Sequence, residues 1–211
     1  MKKILLAAGL LTIGAAQAQI TVKDVFSGKV TNATWLGLDF TQAKIINDPA
    51  TNPKTMVDQV YESINGLTQK EFKKYDVKGA FKLAYTDYDF SAVNKHNGTI
   101  DASTVASTSS ADAMRLKASD VAAVVQSLTF TGKKGLGILY VVEGLDKVGK
   151  QVTGWIVLVN LDNKQILLSE YVPGKTASGF GERNYWASGF KGVLNEIEEH
   201  KYKEWKKTYG S

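Results

Sequence analysis

The sequence has no cysteine and only two histidines among its 211 residues. Without cysteine there is no disulfide, no cysteine-ligated zinc, no iron–sulfur cluster and no thiol nucleophile. Two histidines leave little for a histidine-built metal centre, and neither a metal nor a cofactor is expected. Proline is scarce, at three residues, so a proline-rich linker is excluded. No run reaches the ~18 apolar residues that a membrane-spanning helix needs. No charge of one sign dominates either, with 26 Lys and Arg against 21 Asp and Glu. That modest excess is a weak argument for a polyanion partner, and nucleic acid is not expected. What the chain has is 44% hydrophobic and 10% aromatic residues, the composition of a globular domain.

The N-terminus reads as a targeting segment. Lys2 and Lys3 precede an apolar run from Ile4 to Ala16, and Ala16-Gln17-Ala18 places small residues at the −3 and −1 positions of a cut after Ala18. Charge, apolar run and cleavage site in that order make a secretory signal peptide over residues 1–18. No cysteine follows, so a lipid anchor is not expected. Loss of Lys2 and Lys3 lowers the net charge from +5 to +3. The expected product is a periplasmic or secreted protein over residues 19–211. It is one domain that its core alone must hold, and a chain of this size can bury about 70% of its unfolded surface.

Hydrophobic periodicity supplies the elements. Ile20–Val25 alternates as a strand, Thr34–Phe40 reads as a second that is partly alternating and partly continuous, and Lys44-Ile45-Ile46 continues it after a bulge. Asn52-Pro53 is a helix start; Met56, Val57, Val60, Tyr61 and Ile64 form its apolar face, and Asn65-Gly66 marks its end. Thr68 and Glu71 have capping-box spacing for a short second helix. Phe81, Leu83 and Tyr85 alternate as a strand. Residues 94–111 are poor in large apolar residues, the run from Asp101 to Ser110 is small and polar, and a mobile loop is expected. A helix is predicted from Ser119 to Leu128. Leu136–Leu145, Gln151–Leu161 and Gln165–Val172 read as three strands joined by short turns, hence an antiparallel meander. A glycine-rich loop leads to Asn184, where a long helix is expected to open. The sum is an α+β domain: a mostly antiparallel sheet with helices packed on one face.

Candidate chemistry is sparse. Gly174-Lys175-Thr176 has the ending of a phosphate-binding loop, but Ser169 stands where the earlier glycine is needed. Gly179-Phe180-Gly181-Glu182-Arg183-Asn184 has the opening of a dinucleotide fingerprint, but Asn184 replaces its third glycine and no βαβ unit surrounds it. One reading of that stretch is a tight loop with a cap at Asn184. The other is a ligand site, in which amides at Gly179 and Gly181, the forked donor of Arg183, Asn184, and the rings of Tyr185 and Trp186 receive an anion or a sugar acid. Asp87 and Asp89 flank Tyr88 at the end of a strand. They are either solvated carboxylates, or a pair that shares a cation or does acid/base work. His200 suits a helix C-terminus. The tail from His200 to Tyr209 mixes lysines and aromatics, which suits either a solvated helix end or an anionic surface. Neither G-x-S-x-G nor H-E-x-x-H occurs. A Ser-His-Asp triad assembled from distant residues stays open, and nothing in the sequence points to one.

The stretch Gly179-Phe-Gly-Glu-Arg-Asn-Tyr-Trp-Ala187 resembles one that recurs in small exported proteins of Bacteroidetes-type bacteria. There too it follows a β-meander and leads into an amphipathic helix. The resemblance covers about the last third of the chain. It implies an envelope location and kinship of fold, and carries over no catalytic residue. Three functions are therefore expected in turn: a non-enzymatic envelope protein that binds a partner protein, an anionic small ligand or a glycan; a hydrolase of envelope material using Asp87 or Asp89; or a subunit that assembles with another envelope protein.

Overall fold

A computed structural model describes residues 19–177 and 179–210. The leader expected over residues 1–18 lies outside them. Among the described residues no helix is long and apolar enough to cross a membrane.

The expected first strand is a helix, α1 (Val22–Phe26). Thr21 and Asp24 close a reciprocal capping box at its start, and two satisfied orphan N–H groups outweigh a short alternating pattern. After it come β1 (Asn32–Asp39) and β2 (Lys44–Ile46). Helix α2 (Pro53–Thr55) starts at Asn52, whose side chain accepts from the Lys54 and Thr55 amides. It passes through a wider π turn (Met56–Val60) into α3 (Tyr61–Lys70). Asn65-Gly66 is therefore not a stop, and Thr68 lies inside the helix rather than capping a second one. Helix α4 (Val77–Ala80) ends in a C-cap at Phe81, where a strand is expected, and β3 starts only at Tyr85 and runs to Tyr88. The polar stretch 94–111 holds the end of α5 (Ser91–Asn97), two 3₁₀ turns and β4 (Ala106–Ser107). Then follow α6 (Ala118–Ser127), β5 (Leu136–Asp146), β6 (Gln151–Asn160), β7 (Gln165–Tyr171), β8 (Gly174–Lys175), α7 (Gly181–Glu196) and α8 (Tyr202–Tyr209). Helix α7 begins three residues before Asn184, at Gly181.

The sheet is not the mostly antiparallel meander that the sequence suggests. Its path β3-β1-β5-β2-β4 is parallel throughout. Antiparallel pairing is confined to β6, which lies against β5, β7 and β8. Short turns reveal only hairpin partners. Parallel partners are separated by crossovers, so their pairing leaves no local mark. β1 and β2 occupy successive halves of one edge of β5: Thr34–Asp39 runs beside Gly137–Val141, and Lys44–Ile46 beside Gly144–Asp146. β3 lies outside β1 and β4 outside β2. Among the described residues, the edge at Leu38–Phe40 between these two short outer strands has no strand neighbour.

Helices cover both faces, not one. Alternate residues of a strand point to opposite faces, and β5 is buried at every position. Ile138, Tyr140 and Val142 belong to one apolar cluster with Tyr61 and Ile64 of α3, Trp186 and Phe190 of α7 and Trp205 of α8. Leu139 and Val141 meet Val121, Val124 and Val125 of α6, with Val93 of α5. A strand apolar on both sides needs cover on both. The register shift between Trp35 and Gly37 explains why β1 alternates only in part.

The glycines of the last third serve packing. A Cβ on Gly174 would sit 2.2 Å from Gly189 O and from Val193 N, and one on Gly192 would sit 2.5 Å from Lys175 O. Their lack of side chains lets β8 and α7 touch backbone to backbone. The tail returns to the body through aromatic rings. Phe26 has Tyr202, Trp205 and Tyr209 within 6.1 Å, ring centre to ring centre, so the aromatics of α8 face α1.

Candidate functional site

The gap in the sheet edge is filled by two buried asparagines. Asn65 of α3 accepts from the Leu38 amide at 2.7 Å and donates to the Leu38 carbonyl at 3.1 Å. Asn97 of α5 donates to the same carbonyl at 3.0 Å and accepts from the Phe40 amide at 2.7 Å. The side-chain amides thus stand in for a missing strand, and no buried backbone group is orphaned there. Gly37, with φ +101°, makes room, since a Cβ would lie 2.8 Å from Asn65 Oδ1.

Asp39 lies between the two residues so held. It is fully buried. One oxygen accepts from the Thr41 amide at 3.0 Å and the Thr41 hydroxyl at 2.5 Å. The other is 2.6 Å from His96 Nδ1, one residue before Asn97. His96 Nε2 is 3.1 Å from Ser127 Oγ, at the last residue of α6. The chain Asp39–His96–Ser127 therefore runs from the buried sheet edge outward, ending on an exposed hydroxyl. Ser127 Oγ also lies 2.7 Å from the Val124 carbonyl, to which it donates. The hydrogen bond to Asp39 raises the His96 pKa above the usual 6.5, against the opposing effect of burial. The C-terminal end of α6 also favours the imidazolium. In that form every proton has an acceptor: Nδ1–H donates to Asp39, Nε2–H to Ser127 Oγ, and the hydroxyl to Val124 O.

A pH dependence follows. A folded pKa above the unfolded one gives a stability increment fully present below about pH 6.5. It is lost as pH rises through the folded His96 value. In urea titrations, the stability difference between wild type and His96→Gln is expected to be largest at mildly acidic pH and to shrink at alkaline pH.

The sequence-predicted loop is only partly available to a ligand. Trp186 is buried and its Nε1–H donates to Glu182 at 2.8 Å. Tyr185 is half-buried, its hydroxyl meets Thr176 at 3.0 Å, and Lys147 lies over its ring at 4.2 Å. Asn184 donates to Phe180 O and accepts from Arg183 Nε. Gly179 lies across the first turn of α7, where a Cβ would be 2.8 Å from the Tyr185 amide. Gly181, with φ +78°, turns the chain into the helix. What reaches solvent is Arg183 and Phe180, the latter 96% exposed.

Asp87 and Asp89 converge on Lys133 Nζ, at 2.9 and 3.7 Å. That ammonium, with the Tyr88 amide, lowers the Asp87 pKa. Burial opposes ionisation of Asp89, but the hydrogen bonds from Ser91 and the charge of Lys133 together lower its pKa. Among the described residues no cluster of three or more His, Asp or Glu is placed to hold a metal ion. His200 pairs with Glu196 at 3.2 Å along its own helix.

The structure thus brings together three residues that the sequence did not single out as a group. Asp39, His96 and Ser127 share no motif, being 57 and 31 positions apart. The one available signal was Asp39 itself, a carboxylate within an apolar strand, where a buried charge needs a partner. No protein family model matches the chain, and no curated protein matches its sequence.

Proposed function

We propose that the protein is exported and acts in the cell envelope as a binding or interaction protein. Its mature form begins at Gln19, and its contact surface is the tip of the loop that opens α7. The carrying observation is Phe180, 96% exposed, with the exposed guanidinium of Arg183 three residues on. Phenylalanine and arginine are both enriched at protein contacts, and arginine is among the residues that carry most binding energy there. A large ring held out in water is costly unless something covers it. Among the described residues Arg183 donates only through Nε, to Asn184, so its other donors point to the partner. The chemistry that fits is a carboxylate-bearing surface with an apolar recess beside it. An envelope protein supplies both, and an anionic ligand or glycan meets only the arginine.

The test is affinity capture from native envelope with the mature wild type, Phe180→Ala and Arg183→Ala in parallel. A partner held by wild type is expected to fall by about 10-fold or more with either variant, the usual cost of removing a contact hot spot. Equal recovery by all three proteins refutes this surface.

A further inference from the structure

We propose that Ser127, His96 and Asp39 form a nucleophilic site that hydrolyses short acyl esters, a role beyond binding and independent of the Phe180 loop. The two regions lie apart: α7 packs on one face of the sheet and α6 on the other. Three observations carry the proposal. The hydrogen-bond chain has the order and lengths of a nucleophile, base and orienting carboxylate. The carboxylate is fully buried and fixed by Thr41, so its contact holds His96 in one orientation. And His96 and Ser127 line the same cavity, of about 220 Å³, with Ala92, Lys95, Leu128 and Thr129.

That volume is below the range of drug-sized ligand sites. It suits an acetyl-sized acyl group, with Ala92 and Leu128 as its apolar wall. Lys95 is the cation at the same cavity, and is assigned to the developing oxyanion. At low pH the imidazolium donates to Ser127 and no base is available. Above the His96 pKa, Nε2 is free, and the Ser127 hydroxyl turns from Val124 O toward it. Oγ then attacks the ester carbonyl as its proton passes to Nε2. The carbon–oxygen bond to the alcohol breaks, and the alcohol leaves with that proton. Water attacks the acyl-serine, gives a proton to Nε2 and releases the carboxylic acid, and Ser127 recovers its proton from His96. Ester and water are consumed; acid and alcohol are formed. Ser127 and His96 are the catalytic residues, and Asp39 is a positioning residue.

The experiment is labelling of the mature protein with an alkyl fluorophosphonate, followed by intact mass and peptide mapping between about pH 6 and 9. A single adduct on Ser127 is expected, forming faster as pH rises through a value above 6.5. His96→Gln should slow it about 10²-fold or more, the usual share of a general base. Asp39→Asn should both slow it and move the inflection to lower pH, which a merely structural role would not do. No adduct on Ser127 in the wild type, or labelling slowed less than about tenfold by His96→Gln, overturns the proposal. Because the wild type is itself the first arm, a variant that fails to fold cannot rescue it.

Discussion

Trp35→Ala is expected to destabilise the fold by about 3–5 kcal/mol, read as a lower urea midpoint at unchanged slope. Trp35 is fully buried in β1. Its ring stacks on Phe190 of α7 with centres 5.1 Å apart and planes 14° from parallel. Tyr140 of β5 and Tyr75 pack on the same Phe190, at 5.8 and 6.4 Å. Truncation therefore leaves a cavity among rigid rings, and rings braced from three sides cannot collapse into it. A polar loss adds to the apolar one. Trp35 Nε1–H donates to the Thr68 hydroxyl at 3.1 Å, and that hydroxyl donates to Asn65 O at 2.8 Å. Trp35→Phe keeps a stacked ring but removes the donor, so it is expected to cost about 1–2 kcal/mol, the price of one buried hydrogen bond and a smaller ring. Set against a total stability of about 5–15 kcal/mol for a single domain, the alanine variant removes a large share.

Which parts of this arrangement are visible in the sequence depends on how local the cause is. β5, β6 and β7 are legible because the turns at Asp146–Lys150 and Asp162–Lys164 force neighbours to pair. The start at Asn52-Pro53 is legible because a cap and an N1 proline act within three residues. Where an element departs from its local pattern, that pattern competes with a second signal, local or distant. At Ile20–Val25 a weak alternation competes with the Thr21–Asp24 box, and the box prevails because it satisfies backbone donors. At Asn65-Gly66 a stop signal competes with a distant demand. The Asn65 side chain is committed to Leu38, Gly66 does not take the positive φ of a helix stop, and α3 runs on to Lys70. The parallel half of the sheet is illegible for a different reason. Asn32 pairs with Tyr85 and Thr34 with Gly137, and no local pattern encodes partners so far apart. The Asp39–His96–Ser127 chain inherits that illegibility. Its three residues come from the sheet edge, α5 and α6, and only the folded crossovers bring them together. The loop at 179–186 was conspicuous in sequence, yet most of its side chains are committed to α7 packing, which leaves Arg183 and Phe180 as the accessible part.

Asn65→Ala is expected to cost about 2–4 kcal/mol, from one orphaned buried donor and a small cavity. The Leu38 amide loses its acceptor outright, and in the interior no water replaces it. The Leu38 carbonyl keeps Asn97 as a partner, so the loss falls on one group of the two. Asn97→Ala mirrors this by orphaning the Phe40 amide while Asn65 still holds the carbonyl. The double variant removes both donors to Leu38 O, so its cost should exceed the sum of the two single costs, the mark of residues sharing a partner. The same logic ties stability to the site. Asp39 lies between Leu38 and Phe40, and its aim at His96 depends on both neighbours being held. Loosening that edge lengthens the Asp39–His96 contact, and the raised pKa of His96 loses its main cause. Titration of the His96 ring by NMR is therefore expected to give a value nearer 6.5 in Asn97→Ala than in wild type. An unchanged His96 titration in a folded Asn97→Ala protein would show that Thr41 alone suffices to fix Asp39, and that the asparagines serve only to close the sheet.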